Sequence, residues 1–169
     1  MHQKSLANGA TGGFLLALLT AIIASVGSGL SYQSAEILGM LVMFGGALLT
    51  QGYALWKTPD AMQGDFQHRL KAVLAATISM CLVYGLVLYV HYALLDPDYL
   101  QEFFTHYREE ILAAAGSPED RAARLEFIEQ NRDFMLDPFK QAMLMAGTLL
   151  GISGLGALLV SALLKRTAQ

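Results

Sequence analysis

Leu95-Asp96-Pro97-Asp98 and Leu136-Asp137-Pro138 bracket the one long polar stretch of a chain that is otherwise a series of apolar runs. In or between these two signals lie all of the protein's fourteen carboxylates except Glu36, Asp60 and Asp65. Asp followed by Pro is a helix start. The carboxylate accepts from free backbone N–H groups, and proline fits the first turn, where its missing N–H does no harm. Residues 96–137 therefore read as a water-facing helical excursion set between membrane spans.

The composition agrees. A chain of 169 residues that is 54% hydrophobic, with a mean hydropathy of +0.44, is too apolar for an ordinary soluble domain and short enough for one membrane domain. The net charge is −3 and no basic block is present, so the electrostatic footprint of a nucleic-acid binder is missing. The single cysteine, Cys81, lies in an apolar run with no partner in the chain, which rules out an internal disulfide framework.

Four runs, 12–30, 35–56, 72–95 and 142–164, reach the roughly 20 residues needed to cross about 30 Å of hydrocarbon. They are continuous rather than alternating, and an open sheet cannot satisfy its backbone in lipid, so strands are excluded. Lys4 and the small residues Ala24-Ser25-Val26-Gly27 have the flavour of a signal peptide. The first run is nevertheless long enough to span and is read as a span. The fold class that follows is all-α: an antiparallel four-transmembrane-helix bundle with a two-helix extracytoplasmic insert between spans three and four.

Lys4, Lys57, Arg69, Lys71, Lys165 and Arg166 fall on one side of this arrangement, which the positive-inside rule makes cytoplasmic, with both termini there. Tyr53 and Trp56 at one end, and Tyr89, Tyr92 and Tyr99 at the other, suit the two interfacial belts. Inward seams are expected at Ala17, Ala21, Ala24 and Ser28; at Glu36, Gly39, Met43, Gly46, Thr50 and Tyr53; at Thr77, Cys81, Tyr84, Leu88 and His91; and at Gly147, Gly151, Gly154, Ala157 and Ser161. Small residues at such spacing let helix backbones approach.

Glu36 and His91 fall near the same outer surface and, with Tyr84, form a candidate site for a polar head group. Interfacial placement and plain packing are the simpler explanation. In the excursion, Leu100, Phe103, Phe104, Tyr107 and Ile111 share one helical face, and Asp98, Glu102, His106 and Glu109 share another. Gly116 ends that helix, and Ser117-Pro118-Glu119-Asp120 starts a second one running to about residue 134. Phe103, Phe104, Tyr107, Arg121, Arg124 and Arg132 are the candidate surface for a partner or for lipid. Glu102 and His106 stand four apart, not at the Glu-x-x-His spacing of di-iron bundles, so a solvated polar face is expected there, without metal or other cofactor. The chain has no phosphate-cradling glycine loop, nucleophile elbow, zincin motif or kinase signature.

Gly52-Tyr53 with Trp56-Lys57 closing the second span, Phe66-Gln67 before the third, Asp96-Pro97-Asp98 after it, and a helical insert before a glycine-rich last span resemble an uncharacterised bacterial family. It is a family of small four-helix membrane proteins known only as a domain of unknown function, and the likeness extends over almost the whole chain. The resemblance implies a bacterial inner-membrane location, no assigned activity, and a partner among envelope enzymes such as a glycosyltransferase acting on polyprenyl-linked sugars. Together these readings lead to the expectation of a non-enzymatic accessory or scaffold subunit, its partners being the bilayer, an envelope enzyme and a second copy of itself, not nucleic acid. The alternative is a small transporter or lipid-handling protein using the polar site at the outer mouth. An enzyme built on Asp98, Glu102 and His106 ranks third.

Overall fold

The structure, a computed structural model, describes residues 2–26 and 32–164. It is all-helical, without a strand among the described residues. In chain order the helices are α1 (His2–Val26), α2 (Tyr32–Trp56), the short α3 (Pro59–Gln63), α4 (Phe66–Val90) with a π-helical extension (His91–Leu95), α5 (Tyr99–Ala113), α6 (Pro118–Gln130), α7 (Arg132–Met135) and α8 (Pro138–Leu163). Four segments, Gln3–Ile23, Ile37–Trp56, Phe66–Leu95 and Pro138–Leu163, are long and apolar enough to cross a membrane. Leucines such as Leu41, Leu49, Leu82, Leu86 and Leu155 are exposed along them, as helices standing in lipid require.

The helices outrun the apolar runs that announce them. α1 starts at His2 rather than at residue 12, and α4 starts at Phe66 rather than at residue 72. In both cases a polar first turn is held by specific bonds: Ser5 lies 3.3 Å from Thr58, and the Asp65 carboxylate accepts from the His68 N–H at 2.9 Å. At the far end of α4 the Asp96 N–H bonds the His91 carbonyl at 2.8 Å. That reach of five residues makes the last turn π-helical, and Pro97, with no N–H, stops it. Asp96 thus closes the long helix instead of opening the next. Asp98 takes the N-cap position of α5 and makes no side-chain cap bond. The other two helix starts form as the sequence predicts: Ser117 caps α6 through the Asp120 N–H, and Asp137 caps α8 through the Lys140 N–H, each with proline in the first turn. The second hairpin helix stops at Gln130 because Asn131 turns its amide back onto the Phe127 carbonyl at 2.8 Å.

Inside the bundle the closest approach is between α1 and α4, which run in the same direction. A methyl added at Gly9 would strike the backbone of Ala76, and one at Gly13 the backbone of Met80, so only glycine permits that seam. Gly12 against Thr50 and Gly46 against Leu16 bring α1 to α2, and Gly85 against Ala146 brings α4 to α8. The third seam, Thr77, Cys81, Tyr84 and Leu88, is buried as expected. The fourth is buried only at Ala157 and Ser161. Gly147 and Gly151 are exposed, and nothing lies within 4 Å of a methyl built on either, or on Gly154. The buried face of α8 is completed by Ala142, Leu149, Ser153, Gly156 and Val160. Small size at helical spacing made the glycine stripe look internal; the larger apolar residues around Leu149 and Val160 in fact fill the core. In the second seam Met43 is buried while Tyr53 is exposed. Ser28 lies outside the described residues, as do the side chains of Ala24 and Glu36.

Candidate functional site

Polar side chains are buried at three levels of the bundle. At the end that carries Lys57 and Arg69, Thr58 donates to the Ala54 carbonyl at 2.9 Å, which leaves Ser5 as the donor in its contact with Thr58. Arg69 is 6% exposed; its Nε donates to the Ser161 carbonyl at 2.7 Å and its Nη1 to the Gly64 carbonyl at 2.6 Å. Ser161 is in the last turn of α8, whose final carbonyls lack intrahelical donors and carry the negative end of the helix dipole. The guanidinium is therefore a tie between α8 and the α3–α4 turn, with its charge offset by carbonyls.

The second level joins three spans. The Gln51 amide nitrogen donates to the Thr77 hydroxyl at 2.9 Å and to the Ser153 carbonyl at 2.8 Å, and Thr77 passes its own proton to the Val73 carbonyl at 2.9 Å. Gly156 leaves the space that the Gln51 carbonyl oxygen occupies, since a Cβ there would lie 2.8 Å from it. That oxygen and the Ser153 hydroxyl are buried and make no hydrogen bond. At the third level the Tyr84 hydroxyl sits 3.3 Å from Thr20 Oγ1 and 3.5 Å from the Met43 sulfur. Met80, Tyr84 and Leu88, none with any exposed surface, fill the bundle between the Gln51 level and His91.

The candidate head-group residues consequently part company. Tyr84 is spent on Thr20 and Met43 inside the bundle, and Leu88 separates it from His91 two turns further along α4. His91 lies in the π-helical turn, with its ring 5.5 Å from that of Tyr92 and 5.7 Å from that of Tyr99. Its Nε2 is buried without a hydrogen bond. Tyr92 and Tyr99 stack at 5.4 Å and 4°, and the ladder continues through Phe103 to Tyr107 at 6.3 Å per step. Burial, and then the nearby charge of Asp96, pushes the Tyr99 hydroxyl above its usual value, so it stays protonated. These rings lean on one another and fasten α5 to the end of α4.

The hairpin has a core of its own in Phe104, Ile111 and Ile128, with Tyr107, Leu125, Met135 and Leu136 packed around it. Phe104 is only 4% exposed and belongs to that core, beneath the Arg132 guanidinium at 5.7 Å, not to an open surface. Phe103 and Tyr107 are half-buried in the ladder. Arg121 and Arg124 border a shallow cavity of about 270 Å³ at the hairpin tip, alongside Ile111 and Asp120. Arg108 reaches across to Glu129 at 3.3 Å and ties the two helices. His106 Nε2 faces Glu110 at 3.5 Å rather than Glu102, and no group of three or more metal-ligating side chains forms among the described residues. The apolar groups left outermost on the hairpin are Phe127, 65% exposed, Leu112, 49% exposed, and Phe134, 41% exposed.

Composition alone did not single out Gln51, Ser153, Arg69, Ser5 or Thr58. The usable signal was Gln51, an amide inside an apolar run, five residues before its end, where an unpaired polar group costs several kcal/mol.

Residues 7–166 match the family described as "Protein of unknown function (DUF4199)", and the chain belongs to that family. No curated protein and no solved structure matches it.

Proposed function

From its place in a family whose description names no activity, we propose that the protein is a non-enzymatic accessory or scaffold subunit of a bacterial inner membrane. Its spans form an antiparallel bundle with both termini in the cytoplasm. The hairpin, residues 96–137, stands on the outer side and docks an envelope enzyme, of which one acting on lipid-linked glycans is the class the family resemblance implies. The observation that carries this reading is the exposure of Phe127 and Phe134 on a hairpin that already has its own core and does not need them for folding. Large exposed aromatics beside arginines are what protein interfaces use as anchors. The internal side is equally suggestive. The Gln51 amide nitrogen and the Tyr84 hydroxyl are spent on joining helices, which suits a rigid mount better than a moving carrier.

A photo-crosslinking amino acid at Phe127 in intact cells, with one at the lipid-facing Leu82 as control, tests the proposal. Phe127 is expected to capture one discrete envelope protein that Leu82 does not capture. Lipid adducts alone at both positions would contradict it.

A second reading, a lipid-handling protein with a polar site at the outer mouth, draws on the buried, unbonded Nε2 of His91. His91→Phe would keep the ring packing and abolish head-group binding on that reading. On the scaffold reading it leaves partner capture intact.

A further inference from the structure

At the end of the bundle opposite the hairpin, the last turn of α2 builds a surface that packing does not require. Trp56 is 57% exposed and Tyr53 is 49% exposed. Their rings stand 6.0 Å apart at 53°. The Lys57 ammonium folds back over both, 4.6 Å from the Trp56 ring and 5.6 Å from the Tyr53 ring. No carboxylate pairs with it among the described residues, and Asp60, the nearest acid in sequence, forms no ion pair there either. The Ser5–Thr58 bond docks the first turn of α1 onto the end of α2.

The hairpin end supplies the contrast. Phe139 and Tyr89 meet edge-on at 6.2 Å there, and the adjacent Lys140 is neutralised by Asp137 at 3.3 Å. The lysine beside the first aromatic pair, unlike Lys140, has no carboxylate against it among the described residues. An ammonium without a carboxylate, held against aromatic faces that stand in the interfacial layer of a spanning helix, is complementary to a phosphate that is attached to an acyl chain.

We propose that Tyr53, Trp56 and Lys57 form a binding site for the head group of an anionic phospholipid. The phosphate sits on the Lys57 ammonium, and the first segment of the acyl chains lies along the outward edges of Trp56 and Tyr53. Free phosphate lacks the part that meets the rings, so the site selects lipid.

Trp56 is the only tryptophan of the chain, which makes the site its own reporter. The full-length protein is reconstituted in vesicles containing brominated phosphatidylcholine or brominated phosphatidylglycerol, and quenching of Trp56 is measured against lipid composition. Phosphatidylglycerol is expected to be preferred by about fivefold, the factor associated with one lysine at an anionic surface. Lys57→Gln removes most of the preference, and Lys140→Gln, at the other end, leaves it unchanged. Inorganic phosphate added to the protein in detergent leaves the emission as it was. Lys57 is exposed, so its variant folds, and the emission maximum of Trp56 in phosphatidylcholine vesicles checks that it does. Equal quenching by the two lipids, a preference that survives Lys57→Gln, or an emission change with phosphate alone would each overturn the proposal.

Discussion

Gln51 on the second span donates a 2.9 Å hydrogen bond to Thr77 on the third, and the same nitrogen reaches the Ser153 carbonyl on the fourth. One amide thus joins three helices in a region where lipid gives no hydrophobic drive for their association. Gln51→Met keeps the volume and removes both bonds. It is expected to lower stability by about 0.5–2 kcal/mol in reversible unfolding from mixed micelles. Thr77→Val made on top of it adds little, because the shared bond is already gone; full additivity of the two changes would contradict the node.

The glycines divide into two sets with opposite predicted behaviour. Gly9→Ala and Gly13→Ala force a methyl into the Ala76 and Met80 backbones and separate α1 from α4, so both variants unfold at markedly lower temperature. Gly147→Ala and Gly151→Ala meet open space and gain helix propensity of up to about 1 kcal/mol each. Thermal midpoints in detergent decide the matter, and a reversed order would refute the seam assignment.

Arg69 holds the last turn of α8 and the turn before α4 through two carbonyls. Arg69→Met leaves the Ser161 and Gly64 carbonyls without that donor and is expected to cost about 2–4 kcal/mol, charge-assisted bonds being the stronger kind. Arg69→Lys restores part of this, since an ammonium can serve one carbonyl but lacks the fork. Limited proteolysis after residues 57–65 reports the loosening directly.

Acid stability depends on two helix caps. The Asp65 carboxyl is held below the usual carboxylate range first by the His68 backbone N–H and then by its side chain, and Asp137 first by the Lys140 backbone N–H. A carboxyl whose folded value is depressed stabilises fully above its unfolded value and loses that contribution as pH falls through the folded one. The thermal midpoint is therefore expected to be insensitive to these caps from neutral pH down to about pH 5 and to fall below it. Asp65→Asn with Asp137→Asn, which keeps a cap acceptor that does not titrate, flattens the fall. An unchanged acid profile in the double variant would show that the caps do not set it.

The four apolar helices were legible because hydrocarbon admits few alternatives to a continuous apolar run. The caps at Ser117 and Asp137 were legible because capping is local chemistry. Seams were harder. Tyr84 and Thr77 face inward as their spacing suggests, but Gly147 and Gly151 carry the same small-residue pattern on an outward face, and no sequence period says which side of a helix its neighbour occupies. Asp96 misled for a similar reason: the same Asp-Pro pair opens α8 at Asp137 yet ends the third span at Asp96, where the π turn takes up its N–H. Long-range pairs such as Gln51 with Ser153, and Arg69 with Ser161, have no local signature at all.

The account stands on the hairpin and the Lys57–Arg69 end lying on opposite sides of a membrane. Cys81, buried, is the only native thiol, so Cys81→Ala gives a clean background for single cysteines at Ala122 on the hairpin and Gln63 on the link. With a membrane-impermeant thiol reagent, Ala122→Cys is predicted to react in intact cells and Gln63→Cys only after permeabilisation. Labelling of both in intact cells, or of Gln63→Cys alone, would contradict the arrangement.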